Sequence, residues 1–229
     1  MAQWEVLDRQ GHRHLTVAQV DVMQRQFVQI VTDEFALAML DYPILFTKHP
    51  ETAAFYPGVV MGFVAGENLY ADARGNLSDY LPADLVRQGF FVQDGRIVID
   101  RDNPVFARAH GESLFDQDGE VTPAFRRVER ALQMLDSGLP ATDQFIERMM
   151  EHKLLEPIDI TMDFDDGQRI RLDGLYTISL DQIHALSDNV ALDLLRRGDL
   201  RLAYTQIGSV AHLRKLARRR NDRLAGQAA

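Results

Sequence analysis

The chain has 229 residues, 46% hydrophobic and 26% charged, values ordinary for a globular protein and enough length to bury a core. It contains no cysteine, which excludes disulfides, thiolate nucleophiles and cysteine-ligated zinc or iron–sulfur centres. The net charge of −9 is uneven: Leu195 to Arg223 carries nine basic and two acidic residues, or +7, leaving −16 for the rest, which argues against nucleic-acid binding by that acidic body.

The first residues, MAQWEVLDRQGHRH, hold no apolar run of the secretory kind. No stretch approaches the roughly 18 apolar residues of a membrane span. The expectation is a cytoplasmic protein without membrane insertion. WEVLD, RQG and HRHLTV read as a hairpin turning at Gly11. FVQIV (27–31) alternates apolar and polar residues and reads as a strand. Thr32 then caps a short helix whose first turn carries Asp33 and Glu34, where acids favour the positive helix end. Pro43 ends that helix, and ILFTK leaves as a strand. Residues 57–104 read as a meander with strands VVMGFV, ENLYAD and GRIVID, and LPADLVRQG as a helical turn within it.

Thr122 and Pro123 open a helix with Phe125, Val128, Ala131, Leu132 and Leu135 on one face. SGLP (137–140) closes it and starts a second helix, giving a helical hairpin. IDITMDFDDGQRIRLDGLYTI is a β-hairpin, with Asp166-Gly167 of the type that suits a two-residue loop. LDQIHALS and NVALDLLRRG follow as helices. The start of DLRLAYTQIGSVAHLRKLARRRNDRL fits strand or helix. From Ser209 it is an amphipathic helix, with Val210, Leu213, Leu216, Ala217 and Leu224 opposite the basic residues.

These elements predict an α+β fold. The N-terminal half makes a strand-rich sheet or partly closed barrel; the C-terminal half adds helices and one further β-hairpin. The chain is read as one domain, 1–229, with room for two lobes, 1–121 rich in strands and 122–229 rich in helices.

Chemistry is sparse. His12 and His14, spaced i and i+2, fall on one face if the segment is a strand, and such a pair suits a metal. No third ligand follows at motif spacing. The remaining histidines (49, 110, 152, 184 and 212) are scattered. FDQDGE (115–120) resembles the start of a calcium loop but lacks its later ligands. HGESLFD sets a His, a Glu and a Ser close together without a nucleophile elbow, and MGFVAGENL has no phosphate-binding signature. No catalytic, cofactor or metal residues are therefore assigned, and no cofactor. The basic face of the last helix, Arg214, Lys215, Arg218 and Arg219, is the strongest signal and suits an acidic partner. A solvated face packed against the acidic body of its own fold explains the same pattern. The stripe lacks Trp or Phe, which argues against insertion into lipid.

The order of several stretches carries more than any one of them: HRHLTV, DEFALAMLDYPILF, GENLYAD, YLPADLVRQGFFV, GESLFDQDGE, LLEP, LDGLYTIS and GSVAHLRKL. In this order they resemble the SapC family of bacterial proteins over nearly the whole chain. The chain departs in having RQGFF (87–91) where the family has Tyr-Pro-Phe. The resemblance brings a surface-layer or peptide-transport label but no catalytic residues. It implies an accessory protein, non-enzymatic, that binds a protein or peptide in envelope assembly, uptake or transport. The alternatives are an enzyme or enzyme partner, with His12 and His14 joined by Glu67 or Asp116, and a surface-layer component. A homo-oligomer is compatible with all three.

Overall fold

A computed structural model describes residues 4–18, 22–72, 75, 77, 80–106 and 111–227. Among these, the elements in chain order are β1 (Trp4–Val6), β2 (Thr16–Val17), β3 (Phe27–Gln29), a 3₁₀ turn (Thr32–Glu34) running into α1 (Phe35–Ala38), β4 (Ile44–Lys48) and β5 (Phe55–Val60). Then come α2 (Ala83–Val86), β6 (Phe90–Gln93), β7 (Arg96–Asp100), a 3₁₀ turn (Pro104–Phe106), β8 (Glu112–Ser113) and α3 (Pro123–Glu151). The chain ends with β9 (Leu155–Pro157), β10 (Thr161–Asp163), β11 (Arg169–Arg171), β12 (Tyr176–Ile178), α4 (Leu180–His184), α5 (Asp188–Arg197), α6 (Asp199–Ser209) and α7 (His212–Gln227). The class is α+β. Its sheets are open, so the barrel alternative is not taken up.

Two compact units divide the chain, each made of two separated segments: Met1–Val22 with Leu81–Ser137, and Met23–Tyr80 with Gly138–Ala229. These bounds differ from a division at residues 121 and 122.

In the first unit β1, β7 and β6 form an antiparallel sheet, and β2 pairs with β8. The expected hairpin of β1 with β2 is therefore absent, since each strand takes another partner. The cause is local. The Asp8 carboxylate accepts the N–H groups of Gln10 and Gly11, rolling residues 8–14 into turns. Leu15, Phe90, Ile99, Leu114, Phe115, Phe125, Val128 and Leu132 make this unit's core. A fully buried side chain of this kind contributes about 1.5–3 kcal/mol. Thr122 does open α3, its hydroxyl facing the Phe125 N–H at 3.4 Å.

In the second unit the sheet runs β3-β5-β4-β12-β9, antiparallel throughout, and β10–β11 stands apart as a hairpin. That hairpin turns over three residues rather than two. Phe164 and Gln168 close the loop by a backbone bond, and Gly167 takes the left-handed conformation that a third loop residue needs. ENLYAD is a loop, not a strand. The buried Asn68 amide oxygen accepts the N–H groups of Tyr70 and Ala71, which a strand neighbour would otherwise bind.

SGLP does not split the helix. α3 is continuous through Pro140, which is exposed together with Asp136, so the carbonyl that loses its partner can be hydrated. Gly138 is there for contact: a Cβ would lie 2.7 Å from the Val31 side chain. Thr32 is not a cap either. Its N–H donates to Thr142 Oγ1 on α3 (2.9 Å), while Glu34 reaches back to the Val31 N–H (2.9 Å).

The seam at Tyr42-Pro43 sits where β4 and β12 share a single residue pair, Phe46 with Tyr176. Side chains of α6 replace the missing ladder. Ser209 Oγ accepts the Ile44 N–H (2.9 Å), Gln206 Nε2 donates to the Ile44 carbonyl (2.8 Å), and Gln206 Oε1 accepts the Ile178 N–H (3.0 Å). Gln206 and Ser209 are fully buried, as such a role requires. α6 is anchored from α3 as well: Arg148 grips Asp199 with two bonds of 2.6 and 2.8 Å.

Candidate functional site

α7 buries Leu213 and Leu216 and turns Arg214, Lys215, Arg218 and Arg219 outward. Spacings of three and four residues (214 to 218, 215 to 218 and 215 to 219) align the four cations over about one and a half turns. Arg214, Lys215 and Arg218 make no ion pair among the described residues. Arg219 lies over the Tyr70 ring, its guanidinium 4.3 Å from the centroid.

The remaining arginines of α7 behave differently. Arg220 falls on the apolar side, with only 8% of its side chain exposed, and donates to Glu67 Oε1 (2.6 Å) and Gln168 Oε1 (2.9 Å). Its guanidinium also covers the Phe164 ring at 4.8 Å. Arg223 donates to the carbonyls of Asn68 (2.8 Å) and Ala71 (3.0 Å). Part of the basic pattern is thus internal, as the packed reading of the sequence expects; part is not.

Beneath Arg219 lies a cluster of phenols. Tyr70 and Tyr42 meet edge to face with centroids 4.5 Å apart. The Tyr70 hydroxyl donates to the Asp41 carbonyl (3.0 Å), and that of Tyr42 to the Tyr80 carbonyl (2.7 Å). Tyr80 is held three ways: its carbonyl by Tyr42, its N–H by Asp41 Oδ2 (3.1 Å), and its hydroxyl by Glu34 Oε1 (2.9 Å). Burial, and then the Glu34 carboxylate, push the Tyr80 phenol above its ordinary pKa, so it stays a donor. His212 opens α7. Burial, then the neighbouring Lys215, hold its imidazole below the ordinary value, which keeps it neutral at pH 7.

Segments 33–46 and 66–72 therefore meet at the Tyr42–Tyr70 pair, and 208–216 joins 33–46 through Ser209 and Ile44; all three are stretches that carry the sequence resemblance. The SapC family model matches residues 7–216. The chain belongs to the SapC family. No curated protein and no solved structure matches it.

In this SapC-family chain the two N-terminal histidines do not share a face. His12 is buried, its Nε2 3.1 Å from Glu5 Oε2 and its Nδ1 within 3.4 Å of Asp8 Oδ2, whereas His14 is exposed. They lie in the turns before β2, so the alternation of a strand does not apply. Asp116 accepts the N–H groups of Asp118 and Glu120 in its own loop, and Glu67 belongs to the other unit, engaged with Arg220 and the Phe63 N–H. Among the described residues no group of three His, Asp or Glu is arranged for a metal, and no helix is long and apolar enough to cross a membrane. His110 lies outside the described residues.

Glu34, Tyr80 and Arg220 are not among the site residues expected from the sequence. Glu34 looks like a first-turn acid, and Arg220 like one more cation in RRR. Only the heptad-like spacing of Leu213, Leu216 and Arg220 signals that the last of these turns inward.

Proposed function

We propose that this SapC-family chain is a non-enzymatic accessory protein that captures an acidic protein or peptide on the outward face of α7. Arg214, Lys215 and Arg218 are its contacts, with Arg219 flanking them on Tyr70. The observation that carries this reading is the split within one helix. Arg220 and Arg223 have partners in their own fold, while three cations along about one helical turn make no ion pair among the described residues. Cations aligned in this way attract an acidic surface and speed its encounter. A setting in envelope assembly, uptake or transport rests on the resemblance.

The test is a triple reversal, Arg214→Glu, Lys215→Glu and Arg218→Glu, in a chain used to capture partners from its native host. Quantitative mass spectrometry at low and high salt reads the result. The proposal expects an acidic partner whose capture falls at least tenfold in the variant and fades with salt. Equal capture by both chains, with the variant melting normally, removes α7 as the contact.

A further inference from the structure

α1 and the turn after it are apolar on two sides, and the core uses one of them. Phe35 and Ala38 are fully buried, Phe35 against the Phe145 ring, whereas Leu37 and Leu40 are 51% and 64% exposed. The two leucines are three residues apart, and the Leu40 N–H donates to the Leu37 carbonyl (3.2 Å), so they form one apolar step. A helix that serves only its own core shows water a polar face.

This step borders the basic face of α7, and both belong to the second unit. Leu40 is bracketed by contacts to that face. The residue before it, Met39, turns its carbonyl to the His212 imidazole at the start of α7, and its methyl group lies 3.8 Å from where a Cβ on Gly208 would sit. The residue after it, Asp41, accepts the Tyr70 hydroxyl on its carbonyl (3.0 Å), and the Tyr70 ring carries the Arg219 guanidinium. At 3.6 residues per turn His212 and Arg219 differ by about 20° in direction, with Lys215 next toward water. One edge of the cationic face thus runs alongside Leu40. The Asp41 carboxylate on that edge is already engaged, accepting the Tyr80 N–H (3.1 Å).

Resting on the reading of α7 as the capture face, we infer that the acidic partner is amphipathic: a helical peptide segment whose carboxylates meet Lys215 and Arg219 and whose apolar side chains, one turn apart, cover Leu37 and Leu40. Apolar contact bordered by charge is the make-up of a binding patch, the first giving affinity and the second orientation. An acidic partner without apolar groups accounts for the cations but leaves two leucines in water beside them. A lipid surface fits less well, because α7 turns its own apolar side into the core through Leu213 and Leu216 and has no Trp or Phe for the interface.

Fluorescence anisotropy of the full chain with three labelled synthetic helices of equal length tests this. One has glutamates on one face and two leucines a turn apart beside them; the second has serine for those leucines; the third has glutamine for the glutamates. The first binds best, and the serine form is about tenfold weaker, the scale of covering two half-exposed leucines. Leu37→Ser combined with Leu40→Ser weakens the leucine peptide by about the same factor and leaves the serine peptide unchanged. Both positions are exposed, so the fold survives, and the three peptides on the unaltered chain decide the matter even without the variant. Equal binding of the leucine and serine peptides, or a double variant that weakens both alike, overturns the inference and leaves α7 as the capture face. Equal binding of the glutamate and glutamine peptides removes α7 as the capture face and the inference with it. No binding of the leucine peptide at millimolar concentration also overturns it, as do phosphatidylserine vesicles that bind through the two leucines where the peptide does not.

Discussion

Arg218 and Arg220 are two residues apart on one helix and have opposite fates. Arg218 is exposed and makes no ion pair among the described residues; Arg220 is 6% exposed, bonded to Glu67 and Gln168 and stacked on Phe164. The side chains are chemically identical, so position on the helix decides. A charge that faces the fold becomes part of the core and needs partners there, which Arg220 finds at both terminal nitrogens but not at its buried Nε. A charge that faces water is free of that demand and available to something else. The basic C-terminus is therefore two devices, an internal clamp and an outward stripe, overlaid on one run of sequence.

Substitutions at the clamp and at the stripe separate the two. The largest effect belongs to Arg220→Ala. It leaves Glu67, with 16% of its side chain exposed, without its cation, and lowers unfolding stability by about 3 kcal/mol in a denaturant titration. A loss below about 1 kcal/mol would place Arg220 with the stripe instead. Arg223→Ala removes two bonds to loop carbonyls, and a decrease of about 1–2 kcal/mol follows. The triple reversal of Arg214, Lys215 and Arg218 sits at the other end: stability changes by less than about 1 kcal/mol, while partner capture falls. A large stability loss there would mean that the stripe too serves the fold.

His212, at the start of α7, gives the smallest effect and the one most specific to pH. Its pKa is depressed in the fold, so the unfolded chain binds the proton more readily. Its contribution to stability is complete above the unfolded value, about pH 6.5, and declines as pH falls through the folded one. His212→Gln flattens that part of the stability profile between pH 7 and pH 5. Nearby Lys215 and Arg219 oppose protonation and Asp41 favours it, so Lys215→Gln raises the His212 pKa measured by NMR.

The sequence made the α+β class legible, along with the strands FVQ, ILFTK and GRIVID and the outward placement of the four α7 cations. Each rests on local rules of alternation, periodicity or capping. The misreadings come from side chains that compete with the backbone pattern, some local and some distant. SGLP was decided by a distant contact, Gly138 against Val31, and ENLYAD both by its own Asn68 and by the distant Arg223. WEVLD and HRHLTV fail as a hairpin for a local reason, the turns set by Asp8 between them, and their strands pair with β7 and β8 instead. The Tyr80 anchor joins residues 34, 41, 42 and 80, and no spacing rule links those positions.

The splice at Ile44 has a consequence for the order in which the molecule can be made. Ile44 lies near the start of the chain, and the side chains that complete its hydrogen bonds arrive 162 and 165 positions later. A ribosome working at roughly 5–20 residues per second leaves that gap open for many seconds. Until α6 has emerged, β4 presents an unfinished border to every other nascent strand nearby. Gln206 and Ser209 thus act as a late seal, and a chain that stops before them is an aggregation hazard even though most of its strands are already present.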